Sequence, residues 1–103
     1  MLSKVLNFMV AAVVVFLAHL GTAEACTFKG IALHGKVKIV STRGDIKVKV
    51  VDHFQDLKVK TVSNFPRQCG EWQFVDSFPD FTIEFVDHFP DLKIKFVDHF
   101  PGV

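Results

Sequence analysis

Apolar and polar residues alternate with a period of two over much of this chain. Ile46-Lys47-Val48-Lys49-Val50-Val51, Leu57-Lys58-Val59-Lys60-Thr61-Val62 and Leu92-Lys93-Ile94-Lys95-Phe96-Val97 show it most clearly. Successive side chains of an extended chain point to opposite faces, so such runs describe strands with one buried side. No helical period is found past residue 26. Between runs, segments such as Asp87-His88-Phe89-Pro90-Asp91 interrupt the pattern. Proline lacks the amide a ladder needs, and aspartate favours turns. The alternation therefore predicts strands at about 36–40, 46–51, 57–62, 71–75, 81–86 and 92–97.

The strands belong to a tandem repeat. Phe85-Val86-Asp87-His88-Phe89-Pro90 returns eleven residues later as Phe96-Val97-Asp98-His99-Phe100-Pro101. Looser copies begin at Ile39, Val50, Thr61 and Phe74, with spacings of 11, 11, 13, 11 and 11. The long unit holds Pro66-Arg67-Gln68-Cys69-Gly70. Similar strands pair promiscuously, and open edges invite aggregation. The fold class expected is all-β, about six short strands wound into a closed or coiled domain. Phe54, Phe65, Phe78, Phe89 and Phe100 recur at one point of the turn. They read as an internal ring of core aromatics in preference to a stacking platform.

Charge adds an expectation about strand order. From Lys29 to Arg67 there are nine basic and three acidic residues; from Glu71 to Val103 there are two and seven. Strands carrying Glu71, Gln73, Thr82 and Glu84 are therefore expected between the lysine strands, because like charges directly opposite are unfavourable.

The first 25 residues do not join the domain. Lys4, the apolar run Val5 to Leu20 and the ending Ala23-Glu24-Ala25 have the three parts of a secretory signal peptide cleaved after Ala25. The apolar run is shorter than the ~20 residues that span a bilayer comfortably. A lipoprotein anchored through Cys26 is disfavoured by Glu24. The domain is then residues 26–103, secreted or periplasmic. Its net charge stays +1, which suggests neither nucleic acid nor a membrane surface as a partner of the mature form. Self-association through strand edges stays open. Cys26 and Cys69, in an oxidising compartment, are expected to form a disulfide. It would close a loop of about 44 residues, worth ~4 kcal/mol in the chain-entropy view.

The repeat resembles a known family. Lys47 to Asp56, Trp72-Gln73-Phe74-Val75-Asp76-Ser77-Phe78-Pro79-Asp80 and Phe85 to Gly102 are similar to the septoil-knot domain family, a resemblance running from about Lys36 to Val103. It implies a small bacterial all-β domain whose chain winds through itself as a seven-crossing torus knot, against the general rule that chains do not thread loops. The turns at Ser41-Thr42-Arg43-Gly44-Asp45 and Ser63-Asn64-Phe65-Pro66-Arg67 depart from the family wording. No catalytic residue is implied.

Chemistry must then come from the residues themselves. Asp52-His53, Asp87-His88 and Asp98-His99 would make a metal set if their turns converged. The repeat argues for turn capping instead, since Thr42, Asn64 and Ser77 stand where the histidines do. Carboxylate pairs such as Asp76 with Asp80, or Asp87 with Asp91, recur too regularly for one acid/base site. The irregular unit offers a possible surface site at Arg67, Gln68 and Trp72. No P-loop, nucleophile elbow or zincin motif occurs, and no cofactor is implied. The function expected is a non-enzymatic stable or binding module. The alternative is a metal-dependent hydrolase or nuclease using the Asp/His turns.

Overall fold

A computed structural model describes residues 26–103; the segment that reads as a signal peptide in the sequence lies outside them. The described chain is all-β. A two-stranded antiparallel hairpin, β1 (Thr27–Phe28) and β2 (Ile31–Ala32), precedes six strands. These are β3 (Gly35–Ile39), β4 (Ile46–Val50), β5 (Leu57–Thr61), β6 (Glu71–Phe74), β7 (Phe81–Phe85) and β8 (Leu92–Phe96). Each lies within about one residue of the span the alternation predicts, while the hairpin has no repeat signature and was not expected.

The six strands close a barrel in the order β3-β6-β5-β8-β4-β7, every neighbouring pair parallel. Parallel strands ordinarily need a crossover of a dozen residues or more. Here shorter connections suffice because neighbours are staggered. Val48, mid-β4, is opposite Phe85, the last residue of β7, and also Leu92, the first of β8. Ile94 likewise faces Val50 and Leu57, Ile83 faces Ile39 and Ile46, and Val37 faces Phe74 and Phe81. Every connection between barrel strands but that from β5 to its neighbour β6 therefore moves sideways across one strand instead of back along a whole one. Strands β3, β4 and β5 make a first lap with gaps, and β6, β7 and β8 fill them on the second.

Alternation decides what lies inside. Ile46, Leu57, Phe81, Leu92, Val37, Val48, Val59, Ile83 and Ile94 point inward, each no more than 9% exposed. Trp72 fills the β6 side, its ring edge-on to Phe81 at 5.7 Å and Phe74 at 6.3 Å. Its indole N–H donates to the carbonyl of Leu33 at 3.1 Å, so the one polar atom of the ring is satisfied. The interior being full, connections must cross strands on the outside.

The two ends of the barrel differ. The hairpin covers the end where strands begin. Leu33 is buried there, with Cys26, Phe28 and Ile31 packed on the core. The Cys26–Cys69 disulfide is formed, Cα to Cα 5.9 Å, and ties the hairpin to the turn before β6. At the other end Ile39, Val50, Phe85 and Phe96 stay 42–50% exposed.

The long unit makes a seam. β5 and β6 share only the pairs Lys60–Glu71 and Thr61–Trp72. Beside them Gly102 exchanges two backbone hydrogen bonds with Lys58, at 2.8 and 2.9 Å. Gly70 lies so close that a Cβ there would meet the Lys58 carbonyl and the Gly102 amide. Gly102 is buried against Cys69 with φ +124°, a conformation that side chains rarely allow.

The expected interleaving of charge holds on one side only. Lys36 faces Gln73, Lys38 faces Thr82, Lys47 faces Glu84 and Lys60 faces Glu71. But β8, itself a lysine strand, sits between β4 and β5. Lys49 is opposite Lys93 and Lys58 opposite Lys95. Two laps fix the order of strands whatever their charge.

Candidate functional site

The turns are built around an unusual backbone. Phe54, Phe65, Phe78, Phe89 and Phe100 have φ between +54° and +59°, and Arg43 takes the same place in the first turn at +58°. For an L-residue with a bulky side chain this left-handed conformation costs ~1–2 kcal/mol. The rings are not in the core. Phe54, Phe78, Phe89 and Phe100 are 86–92% exposed and Phe65 is 73% exposed, which corrects the expectation of an internal aromatic ring. The reason is topological. Each turn except that of Phe65, whose flanking strands β5 and β6 are neighbours, crosses a strand on the outside of a filled barrel, and the left-handed residue at its crest projects away from it.

The carboxylates that bond backbone sit mainly at the foot of the turn. Asp80 accepts from the Lys36 amide at 2.7 Å, Asp91 from Lys47 at 2.8 Å and Asp56 from Lys93 at 2.8 Å. Each binds the strand its turn has just crossed. Asp45 and Thr82 exchange a reciprocal pair, both 2.9 Å. The recurrence of Asp91 and Asp80 is thus structural, as the repeat implied, although the bonds reach across strands and do not cap the turn itself.

The candidate metal residues share a side. The turn of Asp52 and His53 crosses β8, that of Asp87 and His88 crosses β4, and that of Asp98 and His99 crosses β5. These three strands are neighbours in the barrel. All six residues are exposed. Among the described residues, no group of three His, Cys, Asp or Glu side chains is placed to share an ion.

Arg67 and Gln68 are exposed in the long unit. Their amides donate to Glu71 Oε1 at 3.2 and 2.9 Å, and the Arg67 guanidinium lies 5.1 Å from the Phe65 ring centroid. Trp72 is fully buried, so it cannot contribute to a surface site there. As part of a strand with alternating faces, it belongs to the core that its neighbours Glu71 and Gln73 surround.

A cavity of about 330 Å³ opens where the last turn rises over β5, lined by Lys60, Thr61, Phe96, Val97 and Asp98. Sequence reasoning picked out only Asp98 of these. The signal for the rest was Thr61. The barrel strands end in Ile39, Val50, Thr61, Phe74, Phe85 and Phe96, and threonine alone breaks the apolar series.

The family model for the 7(1) septoil knot domain matches residues 30–103. The chain belongs to the septoil-knot domain family. The match begins nine residues before the first repeat at Ile39 and takes in part of the hairpin. No curated protein is similar to the chain at a significant level. The septoil-knot family brings a fold and no activity, so the turns and the cavity carry the functional argument.

Proposed function

We propose that this protein is an exported, non-enzymatic septoil-knot module, released by cleavage after Ala25, that holds a set of phenylalanines out for contact with a partner. The chain is taken to be threaded as the family description has it, which suits a small domain that must resist unfolding outside the cell. The Cys26–Cys69 disulfide supports an oxidising location.

The observation that carries this reading is the state of Phe54, Phe78, Phe89 and Phe100, strained at positive φ and 86–92% exposed. Neither burial nor backbone preference explains phenylalanine there. Glycine or asparagine would suit the conformation better. Strain of this kind is a reason to suspect a site, and repeated exposed aromatics are a reason to suspect contact. The hydrolase or nuclease alternative has no three-residue ion cluster among the described residues to build on.

The test replaces each crest phenylalanine by asparagine and measures unfolding in denaturant. Stability should hold or rise. A loss above about 1 kcal/mol per site would mean that the rings serve the fold, and the binding reading would go. Amino-terminal sequencing of exported protein should begin at Cys26.

A further inference from the structure

The cavity over β5 differs from its surroundings in a way that points to a ligand class. Phe96 and Val97 give it apolar surface. Its other lining residues, Lys60, Thr61 and Asp98, are a base, an alcohol and an acid. A charged ligand would meet both its complement and its like. A wholly apolar one would cover Lys60 and Asp98 without replacing their water, which is costly. A sugar satisfies both halves: its hydroxyls donate and accept, and its C–H face lies on an aromatic ring. About 330 Å³ is at the small end of ligand pockets and accommodates a mono- or disaccharide.

Thr61 is the second observation. At the corresponding place the other five barrel strands end in Ile39, Val50, Phe74, Phe85 and Phe96. The one polar residue of this series lies in the cavity.

The third is the neighbourhood. The turn over the cavity is Asp98-His99-Phe100. The next turns on that side are Asp52-His53-Phe54 over β8 and Asp87-His88-Phe89 over β4. Like groups at even steps suit a ligand that itself repeats, because each added contact acts at a high effective concentration.

We propose that the cavity formed by Lys60, Thr61, Phe96, Val97 and Asp98 is a saccharide subsite, and that the three Asp-His-Phe turns extend it into a surface for a linear uncharged oligosaccharide. This rests on the binding-module reading and names its ligand class.

The test is a titration of the ¹⁵N-labelled oxidised protein with cellobiose, N,N′-diacetylchitobiose and maltose, followed by amide shifts. One of the three should give saturable shifts at Thr61, Val97 and Asp98. Thr61→Val, which restores the apolar residue of the other strands, should weaken that binding about tenfold or more, as should Asp98→Asn. The hexasaccharide of the responding sugar should bind more tightly than the disaccharide, and Phe54→Asn with Phe89→Asn should remove that gain. No saturable shift up to about 50 mM of any disaccharide, or equal affinity in both cavity variants, overturns the proposal. The asparagine stability series separates the two ideas. Rings dispensable for stability with no sugar bound would sink the saccharide alone, whereas rings needed for stability would sink the module.

Discussion

At the contact of β4 with β8, Val48, Lys49 and Val50 face Leu92, Lys93 and Ile94 in unbroken register. At the contact of β5 with β6, only Lys60 and Thr61 find partners. The rest of that seam is held by Gly102 on Lys58, by Gly70 on Leu33 and by the disulfide. The regular side even carries two opposed lysine pairs, and its turns hold up strained, exposed rings. The irregular side carries Trp72, close glycines and a covalent tie. The difference suggests a division of labour. The seam closes the barrel, and the repeated turns are left to face outward.

That division is open to measurement. The largest effect is expected from Trp72→Ala, which empties the centre of the seam and leaves the Leu33 carbonyl with the Gly70 amide as its donor. It should cost about 4 kcal/mol in denaturant unfolding; a loss near that of a surface residue would place the weight elsewhere. Replacing Cys26 and Cys69 together by serine should cost about 3 kcal/mol, read as an earlier midpoint with retained strand content. Gly102→Ala asks a side chain to adopt φ +124° and should cost about 1–2 kcal/mol. On the regular side the signs reverse. Lys95→Glu, opposite Lys58, should add about 0.5 kcal/mol at low ionic strength and less in salt. Phe54→Asn should change stability by no more than about 0.5 kcal/mol. A seam that tolerates its changes while the turns do not would invert the comparison.

The strands were legible because a period of two is written in the residues themselves. Lys47 and Lys49 between Ile46, Val48 and Val50 leave one face to bury, and the structure buries Ile46 and Val48. Closure was legible from the edge problem. The disulfide was legible from compartment and count. The order of strands was not, because Lys49 and Lys93 repel in any local rule. Only the two-lap path brings them together. Phe89 misled because a ring beside a turn proline looks like core until the turn is known to pass outside a filled interior. Trp72 misled for the opposite reason, since it was read with the turn residues Arg67 and Gln68 instead of with its strand. Thr61 could have been noticed by comparing strand ends down the repeat.

The register has a consequence for how such a chain can change in length. Ile46 pairs with Ile83 and Leu57 with Ile94, each 37 residues on, while Val37 pairs with Phe81 and Val48 with Leu92, each 44 on. In a stacked solenoid a duplicated unit merely lengthens the array, because each unit touches its neighbours. Here one extra copy of eleven residues would shift every later strand away from its partner in the earlier lap. Duplication is an obvious origin for near-identical segments such as 85–90 and 96–101. Once closed, the ring forbids the next duplication, so its copy number is fixed and variation is confined to the turns.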